Sequence, residues 1–157
     1  MELRKAGLKD LDTIVSMQEA LASESAIWGY RADSVEAWNG RNLDWLFLAV
    51  DHDESIGFIY CIERPYRGES VFPEGSRILE IVELYVRPES RHGGSGRQIV
   101  KAITSKADIE GFSHLRLYSA AKRFDDILTF YRECGFKPWY LEMFRPIRVE
   151  EDDALGP

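Results

Sequence analysis

Arg91-His92-Gly93-Gly94-Ser95-Gly96 is a stretch built to hold an anion. A strand-like run, Ile81 to Val86, leads in through Pro88, and a helix-like run, Arg97 to Ile109, leads out and stops at Gly111. Strand, glycine loop and helix in that order aim several backbone N–H groups and a helix N-terminus at one point. Gly94 and Gly96 remove side chains where the backbone must come close to a ligand. The lysine of a phosphate-binding P-loop is missing, and too few parallel strand–helix units follow for a general nucleotide-binding domain.

A second chemical feature lies in the strand before the loop. Glu83 stands among Ile81, Val82, Leu84 and Val86, where a carboxylate is costly to bury without a purpose. Strand alternation puts Ile81, Glu83 and Tyr85 on one face and Val82, Leu84 and Val86 on the other. Such an acid can serve as a base; it can equally be a strand-edge carboxylate paired with an arginine. Glu80 is the next acid in the same run.

The elements around these residues read as follows. Met1–Ala6 is a short first strand. Asp10 is placed to cap a helix from Leu11 to about Ala22, with Leu11, Ile14, Val15, Gln18 and Leu21 on one face. Ser34 is placed to cap a short second helix carrying Val35, Ala37 and Trp38. Trp45–Val50 and Ile56–Ile62 form a hairpin through the polar turn Asp51-His52-Asp53-Glu54. A loop from Arg64 to Ser76 precedes the fourth strand, Arg77–Val86. His114–Ala120 is a fifth strand, Ile127–Cys134 a further helix stopped by Gly135, and Phe136–Ile147 one or two closing strands. The unit Arg77–Ala120 is a parallel crossover, while the shorter connections before it suit antiparallel pairing.

At 157 residues with 45% hydrophobic and 30% charged residues, the chain has the size and composition of one globular domain. We expect that domain over residues 1–148, with 149–157 as an acidic, solvated tail. Net charge is −7, but four of the acids, Glu150 to Asp153, lie in that tail. A mildly acidic body argues against a nucleic acid or an anionic membrane as partner and permits a cationic substrate. No apolar run reaches the roughly 20 residues of a membrane span, and no signal-peptide pattern follows Met1, so a cytoplasmic location is the expectation. Cys61 and Cys134 read as free thiols, and His52, His92 and His114 have no ligand spacing, so no metal is expected.

A downstream motif identifies the glycine loop. Ile127-Leu128-Thr129-Phe130-Tyr131-Arg132-Glu133-Cys134-Gly135-Phe136 resembles the segment of the GNAT superfamily of N-acetyltransferases in which Phe/Leu-Tyr-x-x-x-Gly-Phe ends a helix. Arg-x-x-Gly-x-Gly at 91–96 resembles that family's pyrophosphate-binding signature, and the two stand in the family's order and spacing. The resemblance covers about Arg77 to Phe144 directly. It implies a GNAT-like α/β fold: a central mixed sheet of six to seven strands, antiparallel at the N-terminal end. The fourth and fifth strands would be parallel and splayed, with about four helices on both faces.

The resemblance also implies acetyl-coenzyme A (acetyl-CoA) as cosubstrate. Its pantetheine arm would lie in the splay beside the backbone of Leu84, Tyr85 and Val86. Its pyrophosphate would sit on the N–H groups of Arg91, His92, Gly93, Gly94, Ser95, Gly96 and Arg97. The chain departs from the family where Ser95 replaces a hydrophobic residue, at His92 and Gly93, and at Phe124, where many members place an asparagine against the arm. Tyr131 matches the family's proton donor to the departing sulfur; as a core aromatic it would need no such role. Glu83 matches an acid that serves as base in several members, with Glu80 next in line.

Amine acetylation needs a neutral amine, which a base or a desolvating pocket can supply. An amine with pKa near 10.4 is only about one part in a few thousand neutral at pH 7, a cost of roughly 4.6 kcal/mol. In the family the acceptor is met by the region between the first two helices and by the last strands. Here these supply Glu24, Trp28, Tyr30, Trp139, Tyr140 and Glu142. Aromatic and acidic groups suit a small cationic amine, polyamine-like or aminoglycoside-like; the tryptophans could instead serve packing or homodimer contacts. A protein or peptide amine as acceptor, or a non-catalytic acyl-CoA-binding regulator, stays open at this point.

Overall fold

The computed structural model describes residues 1–91 and 93–145. Five strands lie across one sheet in chain order: β1 (Glu2–Lys5), β2 (Leu46–Asp51), β3 (Glu54–Arg64), β4 (Ile78–Val86) and β5 (His114–Leu117). Neighbours are antiparallel except β4 and β5, which run parallel. A parallel pair needs a long return, and the 15-residue helix α3 (Ser95–Ile109) supplies it. The β2–β3 hairpin turns on His52 and Asp53, both left-handed at φ 47° and 66°, as a two-residue turn matched to strand twist requires.

Helices cover both faces. On one, α1 (Leu11–Ser23) buries Leu11, Ile14, Met17 and Leu21 at helical spacing against Leu46, Leu48, Phe58, Tyr60 and Tyr85. The short α2 (Val35–Asn39) adds Trp38 to this core, and Ser34 caps it by accepting from the Ala37 N–H at 3.3 Å. On the other face α3 buries Ile99, Ile103 and Ala107 against Phe47, Ile59, Cys61, Leu79 and Ile81. Burial pushes the Cys61 thiol up to about 12, so it stays a neutral core group. Beside α3 lies α4 (Phe124–Glu133).

Four expectations are corrected. Asp10 occupies the cap position of α1, but its carboxylate accepts from Arg4 at 2.8 Å and from the Gly7 N–H at 3.0 Å, not from the helix. The closing strands do not form over residues 136–145, so the sheet has five strands among the described residues instead of six or seven. Pro138 lacks a ladder donor, and Leu141, Met143 and Phe144 lie exposed. Residues 146 and 147 and the acidic tail lie outside the described residues. The fifth strand ends at Leu117, because Ala120–Lys122 turns away to the loop after α1: Trp28 N–H donates to Ala120 O and Lys122 N–H to Ala26 O, both at 2.9 Å.

The fourth correction matters most for function. Tyr60 of β3 faces Glu83 while the next residue, Cys61, faces Ile81, so Val82 is an extra residue, a β-bulge. The bulge resets the alternation. Ile81 joins Leu84 and Val86 on the α3 face, while Glu83 and Tyr85 turn to the α1 face. Strict alternation had grouped Ile81 with Glu83. Gly57 presses β3 onto the far end of β4: a Cβ there would collide with the Tyr85 carbonyl oxygen and lie 3.1 Å from Val86 Cα.

Candidate active site

The β4–β5 ladder ends at Ile81↔Leu117, one residue before the bulge. From Val82 to Val86 the edge of β4 has no strand partner among the described residues, and a cleft opens there. On its α3 side lies the glycine loop. Gly94 caps α3 at φ 83°, a left-handed conformation that favours glycine, and turns the first N–H groups of the helix outward. Gly96 meets α4 edge on: a Cβ would lie 3.1 Å from the Phe130 ring. The close approach brings α3 and α4 together beneath the loop.

These features fit acetyl-CoA. The unpaired N–H groups at the start of α3 suit a diphosphate, and the free edge of β4 suits an amide-bearing arm that pairs like a strand. Leu84 and Val86 line the α3 side of the gap, and Phe124, half-exposed as the first residue of α4, lies on its rim. Tyr131 packs its ring between Phe130 (4.9 Å) and Phe136 (5.4 Å). Its hydroxyl makes no hydrogen bond to another described residue, and burial raises it above the ordinary tyrosine range, so the proton stays on through neutral pH.

The loop's arginines are engaged within the protein. Arg91 grips Glu24 with two N–H groups, at 2.7 and 2.8 Å, and donates from Nε to the Val86 carbonyl at 2.8 Å. The Tyr85 hydroxyl joins the same carboxylate at 3.2 Å. Glu24, read as an acceptor residue, is therefore the post that ties the end of α1 to the glycine loop. Arg97 pairs with Glu133 of α4. Ser95 begins α3 and Gly93 is exposed; His92 lies outside the described residues.

On the α1 side, Glu83 sits in the mouth of the gap. Its Oε2 accepts from Gln18 Nε2 at 2.8 Å and its Oε1 from the Tyr30 hydroxyl. Burial lifts its pKa above the ordinary glutamate range, and the two donated hydrogen bonds offset part of that rise. Tyr30 is itself raised by burial and by the adjacent carboxylate. Trp28 is half-exposed, but Lys122 Nζ lies 4.9 Å from its ring centre, so its cation-binding face is filled by the protein's own ammonium. Trp139 stands at the cleft rim against Phe72, and Tyr140 reaches Glu142 at 3.5 Å.

Glu80 is occupied. Only 6% exposed, it receives Arg64 at 2.8 and 3.0 Å and Arg116 at 2.8 Å, and Arg116 extends to Glu69 at 3.0 Å. Glu80→Ala is expected to cost roughly 1–3 kcal/mol, because Arg64 loses its Glu80 partner and Arg116 keeps only Glu69, with the acidic limb of any pH–rate profile unmoved. Thermal melts and pH profiles check both parts; a lost limb at full stability would make Glu80 the base. Sequence reasoning missed the groups that hold Glu83, namely Gln18, Asp33, Trp38 and Arg41. The available signal was Gln18 itself, an amide on an otherwise apolar helix stripe.

A layered mixed sheet, parted at the one parallel pair among the described residues, with a glycine-capped helix at the opening, suits a transferase that takes acyl-CoA. The family model for an acetyltransferase (GNAT) domain matches residues 42–138, well over half the chain, and the chain belongs to that family. It is an acyltransferase, and acetyl-CoA is its cosubstrate. No curated protein matches the chain in sequence. Solved structures share the fold at low identity. A transcriptional regulator from Bacillus halodurans C-125 is 22% identical with a TM-score of 0.71, over 93% of this chain and 99% of that one. The aminoglycoside N-acetyltransferase AAC(6')-Iy in complex with CoA is 17% identical with a TM-score of 0.70, over 94% and 95%. The aminoglycoside acetyltransferase meta-AAC0020 from an uncultured soil metagenomic sample is 17% identical with a TM-score of 0.67, over 94% and 96%. Among the described residues no helix is long and apolar enough to cross a membrane.

Proposed function

We propose that this protein transfers acetyl from acetyl-CoA to the primary amine of a small cationic molecule, by direct attack with both substrates bound. The observation that carries this reading is the partly buried Glu83 carboxylate, held by two donors on the α1 side of the gap between β4 and β5. Acetyl-CoA supplies the thioester that the amine attacks. The N–H groups of Gly94, Ser95, Gly96 and Arg97 hold its diphosphate, and the edge of β4 at Leu84 and Val86, which β5 leaves unpaired, holds its arm.

Glu83 receives the ammonium by charge and takes up its proton, directly or through one water, with Tyr30 beside it. A raised carboxyl is better matched to that task than an ordinary one, because the ideal base has a pKa nearer the working pH. Tyr131 Oη keeps its proton at neutral pH and gives it to the sulfur as the C–S bond breaks; the nitrogen, now bonded to the acetyl carbon, sheds its second proton, which restores the tyrosine. Trp139 flanks the entry at the cleft rim, while Trp28 carries the protein's own Lys122 on its ring. Two structural neighbours are named as aminoglycoside acetyltransferases, one of them in complex with sisomicin, and a polyamino sugar is one acceptor of the proposed kind.

Thiol release from acetyl-CoA, measured with a panel of amines, tests the reading. Polyamines or aminoglycosides should accelerate release well above the rate in water, and lysine-bearing peptides should not. Preference for peptides would replace the acceptor class. Binding of acetyl-CoA with no release for any amine would favour an acyl-CoA-binding regulator, a reading to which the neighbour described as a transcriptional regulator lends some support.

A further inference from the structure

We propose that Gln18 of α1 is a positioning residue for acetyl transfer: it fixes the Glu83 carboxylate in the gap, with the Tyr30 hydroxyl as second anchor. The inference rests on the reading of Glu83 as the base. Gln18 is 1% exposed and uses its whole amide. Its Nε2 donates to Glu83 Oε2 at 2.8 Å and to Asp33 Oδ2 at 3.1 Å. Its Oε1 accepts from Trp38 Nε1 at 3.1 Å and from the Asp33 N–H at 3.2 Å. Two donors and two acceptors exhaust what an amide offers.

The amide has only one workable orientation. Reversing it would set its oxygen against two carboxylates and its NH2 against two N–H donors. Trp38 is fully buried and can only donate, so it pins the oxygen end. Asp33 is held from the far side by Arg41 at 2.9 Å. The order of α2 and its flanking loop is thereby passed through one side chain to the carboxylate. Helix packing alone would be better served by a leucine at this position, since the other buried members of the stripe are Leu11, Ile14, Met17 and Leu21.

The charged and titratable groups facing Glu83 are Tyr30 and Asp33 from the loop after α1, Arg41 after α2, and Tyr60 opposite it on β3. Gln18 is neutral, and its N–H favours the carboxylate over the carboxylic acid. Losing it therefore has two consequences: Glu83 holds its proton to higher pH, and it is free to swing from the gap.

The test compares kcat/KM against pH for wild type, Gln18→Met, Gln18→Glu and Glu83→Gln, with acetyl-CoA and the best amine of the panel. Gln18→Met keeps length and removes both donors. Gln18→Glu keeps the acceptor that Trp38 needs and trades the N–H groups for an oxygen facing Glu83 and Asp33, where it holds a proton or repels both carboxylates; it is the second variant should the methionine variant fail to fold. Both should move the midpoint of the acidic limb upward by about one to two pH units and lower kcat above it. KM for acetyl-CoA should be unchanged, because that site lies across the sheet. An unmoved midpoint in either folded variant, beside a limb abolished by Glu83→Gln, overturns the role of Gln18 and leaves Glu83 as the base. A limb that survives Glu83→Gln overturns the base assignment, and the role of Gln18 with it.

Discussion

Tyr131→Phe should turn over about 10²- to 10⁴-fold more slowly than wild type while binding acetyl-CoA almost as well. The substitution deletes one oxygen and keeps the ring between Phe130 and Phe136, so the packing of α4 is retained. The hydroxyl is spent on no described protein partner, so its loss strands no buried group. What remains to be lost is proton donation. The demand on that donor is moderate, since a thiol with pKa near 8.5 can be protonated late, which places the loss toward the smaller end of the range. Steady-state kcat with the best amine, together with acetyl-CoA affinity from a binding titration, checks the split. A wild-type rate would mean that water or another group protonates the thiolate.

Acetyl-CoA should raise the melting temperature of the wild type and leave that of Gly94→Val/Gly96→Val unmoved. A ligand at a hundred times its Kd stabilises by about 2.7 kcal/mol, or roughly 5–10 °C in a chain of this size. Valine at 94 must adopt φ 83°, which a β-branched residue resists, and valine at 96 pushes into the Phe130 ring. The double variant therefore melts lower on its own, and the quantity to read is the ligand-induced shift within each protein. A full shift in the folded double variant would remove the glycine loop from the cofactor site.

How much of this was legible in the sequence depends on whether the controlling contact is local. The glycine loop, the cap at Ser34 and the turn at His52-Asp53 are set by neighbours within a few residues, and they fall where the residue types put them. The face of Glu83 was not legible. One extra residue at Val82 reverses the alternation, and nothing in a run of apolar residues marks where β3 will skip a partner. Glu24 and Arg91 lie 67 residues apart, and their pairing, which gives an expected acceptor residue to the glycine loop, is a product of the fold alone. The fifth strand was overrun for the same reason: Ala120–Lys122 meets a distant loop instead of β4. Gln18 was visible only as an exception to its stripe.

The central claim is that Glu83 handles the proton of a cationic amine, and the ratio of kcat/KM for wild type over Glu83→Gln, followed from about pH 6 to 10, tests it most directly. Glutamine keeps the shape of the side chain and removes its charge. Burial raises the carboxyl, so the wild-type rate should fall as pH drops through a midpoint above the ordinary glutamate range, where the base takes up its proton. The ratio should be largest near neutral pH, where nearly all of the amine carries a proton, and should shrink as pH approaches the amine's own pKa. A ratio that stays constant across the range would contradict the account and leave Glu83 as a structural carboxylate.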